Sequence, residues 1–218
     1  MIKKYSNTNL LIRRINYYRN RTRNFILRRN FLSLSLSASI SSKAIIIGRA
    51  GISIEAKVQI HPNAILICKL NHNGKIKIGK NSQILPYAYL DSTVGSITIG
   101  DYCTINPYSV LYGHGGLSIG NHVRIATHAV IVPGNHKYDR LDIPIWKQGA
   151  DLLGIEIEDD VWIGANVTIL DGVKIRRGCV IGASSVVTRS TESYGVYVGA
   201  PATFIQSRKS ELSKESKE

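Results

Sequence analysis

Four of the six histidines, His114, His122, His128 and His136, fall between residues 114 and 136. Imidazole titrates near neutral pH, so each could move a proton, and its ring nitrogens are also zinc ligands. His136 lies in Pro133-Gly134-Asn135-His136-Lys137-Tyr138-Asp139, and His114 in Tyr112-Gly113-His114-Gly115-Gly116. A histidine on a solvent-facing loop is usually only solvated, so the position of each in the fold has to decide between these readings. The three cysteines, Cys68, Cys103 and Cys179, do not make a disulfide framework and are compatible with a reducing cytosol.

The elements that position these residues are legible from a period of six. Ile157, Ile163, Ile169, Ile175, Ile181 and Val187 are each six apart, which fits neither a helix at 3.6 nor an ordinary strand at 2. It fits a triangular coil with one hexapeptide per side and three sides per turn. In phase upstream lie Ile119, Ile125 and Ile131, then Ile99, Ile105 and Leu111, then Ile78, Ile84 and Leu90, and earliest Ile54, Ile60 and Leu66. A second inward slot, four residues on, holds small side chains, among them Val58, Ala64, Ser82, Ala88, Val94, Cys103, Ser109, Val123, Ala129, Val161, Val167, Val173, Cys179 and Ser185; Leu70 and Gly115 depart from it. The expected fold is all-β, a parallel β-helix of about six coils. On this phase His122 and His128 fall within coil sides, as surface residues.

Every interruption of the period comes after the third hexapeptide of a turn, so the surplus segments emerge at one corner. The longest, 133–154, is read as an extended loop, and loops of that length on a rigid scaffold tend to carry function. His136, Asp139 and Trp146 lie on it, with His114 one turn below the same corner.

The net charge of +13 belongs to an arm. No Asp or Glu precedes Glu55, while eleven Lys or Arg do; beyond it the balance is close to neutral. Residues 1–40 are read as a basic N-terminal arm, 41–203 as the coil domain and 204–218 as a charged C-terminal tail. The arm reads as a helix from about Thr8 to Asn30, with Leu11, Ile15, Tyr18, Thr22 and Phe25 forming an apolar stripe. Three readings stand: a cap whose stripe packs on the open end of the coil, a surface helix in peripheral contact with an anionic membrane, or a cleavable transit peptide. No stretch of ~18 uninterrupted apolar residues suggests a spanning helix. No base-reading module points to nucleic acid.

The segment Asp159-Asp160-Val161-Trp162-Ile163-Gly164-Ala165-Asn166-Val167, then Ile181-Gly182-Ala183-Ser184-Ser185 and the closing Val198-Gly199-Ala200-Pro201-Ala202, resembles the hexapeptide-repeat acyltransferases with a left-handed parallel β-helix. The branch it is most similar to contains galactoside and maltose acetyltransferases and the O-acetyltransferases of bacterial surface polysaccharides. The resemblance implies acetyl-CoA as donor, no metal, and a homotrimer with active sites between subunits. It further implies His136 as general base on an acceptor hydroxyl, because a sugar hydroxyl attacks a thioester poorly until a base takes its proton. The Ala165 amide would hold the oxyanion. Asn106 matches the family's acceptor-binding asparagine, with His114, Asp139 and Trp146 as further acceptor-side candidates. Trp162, Ala165, Ala183, Thr188 and Pro201 match the donor groove. The family's basic residues after the proline are replaced by Thr203 and Gln206, leaving Arg208 and Lys209, or Lys174, Arg176 and Arg177 of a neighbour, as candidates for the CoA phosphates.

The expected activity is O-acetylation of a sugar or cell-surface glycan precursor, in the cytoplasm and, given the arm, at the inner membrane face. N-acetylation of an amino-sugar nucleotide uses similar machinery. Two further readings are a trimeric zinc enzyme hydrating carbon dioxide, whose histidine spacing this chain does not match, and a non-catalytic scaffold.

Overall fold

The structure, a computed structural model, describes residues 15, 18, 19, 21–69 and 74–209. The chain is an all-β, left-handed parallel β-helix of seven turns, preceded by a short helix. Each turn contributes one short strand to each of three parallel sheets, the faces of a triangular prism. Face one runs from Ser33–Leu34 to Lys174–Ile175, face two from Ser39–Ile40 to Val180–Ile181, and face three from Ile45–Ile47 to Val186–Val187. Where nothing is inserted, paired residues are 18 apart, as in Trp162 with Val180 and Thr168 with Val186.

The first turn lies partly within the stretch assigned to the arm. Leu34, Ile40 and Ile46 keep the six-residue phase, with Ala38 and Ala44 in the small slot. The Leu-Ser alternation over 32–37, with its period of two, hides this phase in the sequence. Inside the prism the branched residues stack on their equivalents and are buried throughout, from Ile54, Ile60 and Leu66 to Ile175, Ile181 and Val187. Val94 departs from expectation. The corner after Tyr89–Ser92 holds surplus residues, so Ser92 is buried and Val94 turns outward. Leu70 lies outside the described residues.

The corners explain the residues that look irregular in sequence. From the second turn onward, three positions past each inward branched residue on faces one and two, the backbone takes a left-handed conformation: Lys57, Asn81, Tyr102, His122, Asp160 and Gly178 on the edge between faces one and two, and Asn63, Tyr87, Tyr108, His128, Asn166 and Ser184 on the edge between faces two and three. His122 and His128 are therefore at edges and not within sides. Each stacks on a tyrosine one turn below, His122 on Tyr102 at 5.1 Å and His128 on Tyr108 at 5.1 Å. Such backbone costs about 1–2 kcal/mol per non-glycine residue. The ladders on either side hold it in place.

The helical segment 21–27 ends in a 3-10 turn over Arg28–Asn30. It packs on the first turn through Asn24, Leu27, Phe31 and Leu34. The Asn24 side-chain amide donates to the carbonyls of Ala38 at 2.6 Å and Ser35 at 3.3 Å, closing the first corner from below. The expected stripe does not make this contact. Ile15, Tyr18, Thr22 and Phe25 are exposed, because Asn24 and Leu27 occupy the opposite side of the helix. Thr8 and Leu11 lie outside the described residues. Among the described residues no helix is long and apolar enough to cross a membrane.

At the far end, Gly195–Val198 adds a strand to face two and Thr203–Ser207 returns antiparallel to it. Between them the chain runs along Val186, whose N–H donates to Gly199 and whose carbonyl accepts from Ala202.

Candidate functional site

The surplus segments all leave the edge between faces three and one, as the interrupted period requires. The long loop is not structureless. Asn135–His136 pairs antiparallel with Ala150–Asp151, setting His136 opposite Ala150 and making the loop a hairpin. Lys137 pairs with Asp151 at 3.2 Å. Near the tip, Gln148 accepts from the Arg140 amide and donates to the Arg140 and Ile143 carbonyls, while Arg140 pairs with Asp142. At the root, Asp171 accepts from the amides of Leu153 and Gly154 at 2.9–3.1 Å, fixing where the chain re-enters the coil. The projecting hairpin carries Tyr138, Leu141, Ile145, Trp146 and Leu153 exposed, Leu141 at 99%.

His114 and the root of the His136 strand are brought together. The Gly115 N–H donates to the Pro133 carbonyl at 2.8 Å, and a methyl group on Gly134 would stand 3.6 Å from the His114 Cβ. The His114 ring stacks on Tyr112 at 5.0 Å. Beside them Asp91 accepts from the Tyr89 hydroxyl at 2.9 Å and the Thr93 amide at 2.7 Å. Burial would raise the Asp91 carboxyl, but its bonds from Thr93 and Tyr89 and the nearby His114 outweigh that and hold it below its ordinary value. Burial and then the same carboxylate push the Tyr89 hydroxyl up to about 12. The His136 ring is exposed, and among the described residues no hydrogen bond joins it to Asp139.

The donor-side candidates Ala165 and Ala183 lie on another edge, between faces two and three, on turns six and seven, and the Gly199–Ala202 segment continues the column. The acceptor candidate Asn106 lies on this edge too, on turn four, away from His114 and the loop. The Asn106 side chain donates to the Ile125 carbonyl at 2.7 Å, so that amide serves the coil. Ala165 is stacked between Thr127 and Ala183 by the bonds Asn166 to Thr127 and Ser184 to Ala165. Among the described residues its N–H donates to no other group. In turns two to four the same slot holds Pro62, Pro86 and Pro107, which have no N–H to offer there, whereas Thr127, Ala165 and Ala183 in turns five to seven do. Trp162, 57% exposed, stands on face two beside this edge, paired in register with Arg124 and Val180. Thr188 lies apart from the rest, at the far end of the Val186–Val187 strand.

Within one chain the two groups of candidates are thus separated by a coil side, roughly 15 Å at ~3.3 Å per residue. The basic residues considered for the CoA phosphates are engaged elsewhere. Arg208 donates to the Gly178 carbonyl and pairs with Asp160, Lys209 lies over the Tyr194 ring, Lys174 and Arg176 pair with Glu158, and Arg177 pairs with Asp159. The Arg177 amide, Lys174 and Arg176 hold the Glu158 carboxyl below its ordinary value. Arg189, beside Thr188, has no ion-pair partner among the described residues; it follows a candidate in sequence yet belongs to no motif. A cavity of about 360 Å³ on face one, lined by Ser96, Thr98, Ser118, Leu153, Glu156 and Lys174, opens beside the loop root; of the expected site residues it contains only Lys174. Histidines 114, 122, 128 and 136 are spread over three edges, and among the described residues no three His, Cys, Asp or Glu side chains gather as metal ligands do.

The fold and the motif residues place the protein in a defined class: the chain belongs to the hexapeptide-repeat acyltransferase family. The family profile for bacterial transferase hexapeptides (six repeats) matches residues 154–189. The chain is 30% identical over 142 residues to dTDP-4-amino-4,6-dideoxy-D-glucose acyltransferase of Escherichia coli, covering 63% of this chain and 74% of that one. It is 31% identical over 126 residues to galactoside O-acetyltransferase of Lactococcus lactis, covering 57% and 59%. A Mycobacterium tuberculosis protein named "Probable acetyltransferase Rv3034c" is 30% identical over 163 residues, and the chain spans about half, 52%, of its length. Among solved structures, a variant of AntD, an N-acyltransferase from Bacillus cereus in complex with dTDP-4-amino-4,6-dideoxyglucose and coenzyme A, superposes with a TM-score of 0.60 at 25% identity, covering 89% of this chain and 94% of that one.

Proposed function

We propose that the protein is an acetyl-CoA-dependent O-acetyltransferase acting on a hydroxyl of a sugar or glycan precursor, assembled as a homotrimer with its sites between subunits. The observation that carries this reading is the separation of the candidates. The loop with His136 projects from one edge with its apolar side chains uncovered, and the Ala165–Ala183 column runs along another. A contact that sets the first edge of one copy against the second edge of the next is heterologous, and around a three-fold axis it closes into a ring. Each site then takes His136 from one subunit and Ala165 from its neighbour.

In that site His136 removes the acceptor hydroxyl proton as the oxygen attacks the thioester carbonyl of acetyl-CoA. The oxyanion so formed accepts from the Ala165 N–H, which has no competing partner among the described residues. Collapse breaks the carbon–sulfur bond, and the proton held on His136 passes to the departing thiolate. The products are the acetyl ester and CoA. His114 and Asp139 line the acceptor side, and Trp146 offers a ring face to a sugar. Trp162, Ala183 and Pro201 border the donor. A second reading, transfer to the amine of an amino-sugar nucleotide, is favoured by the names of the Escherichia coli relative and AntD. Thiol release from acetyl-CoA, measured against sugars, glycan precursors and an amino-sugar nucleotide, tests both. Acceptor-dependent release that His136→Ala abolishes supports the mechanism. Release only with the amine selects the second reading, and release untouched by the substitution moves the base elsewhere.

A further inference from the structure

We infer that the outward face of the N-terminal helix is a docking surface for an anionic lipid bilayer. Ile15, Tyr18, Phe25, Ile26 and Leu32 are between 54% and 67% exposed, a run of large apolar side chains at the end of the molecule opposite the candidate site. At 100° per residue, Ile15, Tyr18, Phe25 and Ile26 share one side of the helix, and buried Asn24 lies on the other, against the first turn. The stripe is therefore held outward by the packing of its own helix and does not await closure onto the coil.

What surrounds the stripe selects its occupant. Arg19, Arg21, Arg28 and Arg29 flank it, the Arg28 guanidinium lying 4.4 Å over the Phe25 ring. No carboxylate occurs before Glu55, so no acid of this segment offsets them. A second copy docked stripe to stripe would oppose arginines to arginines. Lipid phosphates match the arginines, and the acyl region beneath accepts the apolar residues, the two-layer arrangement of a helix lying in a membrane interface. Tyr18 and Phe25 of the stripe, with Arg21, Thr22 and Leu36, line an open cavity of about 560 Å³, an arginine among mostly apolar walls. This inference does not depend on acetyl transfer.

The test is co-sedimentation of the full chain with vesicles of phosphatidylcholine alone or with about one-third phosphatidylglycerol, at low and at high salt. Binding should be at least about tenfold tighter to the anionic vesicles and should weaken by a similar factor at high salt. The double substitution Phe25→Asp with Ile26→Asp should reduce binding to the level of neutral vesicles while leaving the melting temperature and the thiol-release activity of the protein unchanged. Arg28→Gln with Arg29→Gln serves as a second probe, should the aspartates disturb folding, and should lower the anionic preference alone. Equal binding to both vesicle types overturns the inference. So does anionic binding that survives both variants. A change of molar mass in light scattering with vesicle binding unaltered would instead assign the stripe to contacts between copies.

Discussion

At the scale of single residues, the edge between faces two and three separates stability from chemistry. The position two past the inward branched residue is proline in turns two to four and Ala165 in turn six, so the coil accepts a residue without an N–H there. Ala165→Pro should therefore leave the melting temperature nearly unchanged while lowering kcat by about 10²–10³, the usual cost of removing one oxyanion donor. Steady-state thiol release and a thermal melt together check it, and a large loss of stability would overturn the assignment. His61 gives the pH-dependent counterpart. Burial lowers its pKa below the ordinary histidine value, and its Nε2 is buried without a partner. On acidification the unfolded chain takes up the proton before the folded one, so the stabilising contribution is complete above the ordinary value and is lost as pH falls below about 6.5. One turn up, the equivalent position is Leu85, so His61→Leu should flatten this part of the stability–pH profile in urea titrations. Such residues are hard to read from sequence. A histidine at a corner, one in a slot and one on a loop share the same letter, and only the fold tells His128, stacked on Tyr108, from His136, exposed on its hairpin.

The elements were the most legible layer. A strict six-residue spacing of branched residues specifies faces, edges and the one corner where insertions collect, because each inward slot is flanked by its own copies and tolerates little else. Where the period is broken, legibility falls. The first turn is hidden because the Leu-Ser alternation over 32–37 has a period of two that masks the six-residue phase of Leu34, Ile40 and Ile46, and the hairpin of 135–151 reads as an extended loop because its pairing is two residues long on each side. Both long and short corners rely on particular backbones. Gly48 has a left-handed backbone, and a methyl group there would overlap the Cys68 carbonyl of the next turn. Gly48→Ala should accordingly cost about 2–3 kcal/mol in equilibrium unfolding. Gly116, equally left-handed but with open space around the missing methyl, supplies the comparison: its alanine variant carries only the backbone penalty.

The whole molecule is quasi-one-dimensional, and its two ends need separate solutions. At the N-terminal end Asn24 donates to two carbonyls of the first turn and Phe31 and Leu34 close the core beneath it. Asn24→Ala removes those donors from a buried corner and should lower stability by about 1–3 kcal/mol, read as a shift in the urea midpoint without a change in slope. None of this was visible in the repeat, since a cap is by definition the place where the repeat stops. The charge asymmetry signalled only that the arm differs from the coil, and the direction of its apolar stripe depended on which helix face Asn24 took.

The opposite end has a consequence for assembly. Every completed turn offers an unsatisfied strand border on which another strand of the same direction could be laid, so a coil of this type has no intrinsic length and could be copied onward by a second molecule. Thr203–Ser207 runs backward along the last strand of face two. On that face it presents an incoming strand with a template of reversed polarity, and the reversal acts there as a chain terminator, opposing the growth of the motif into a filament.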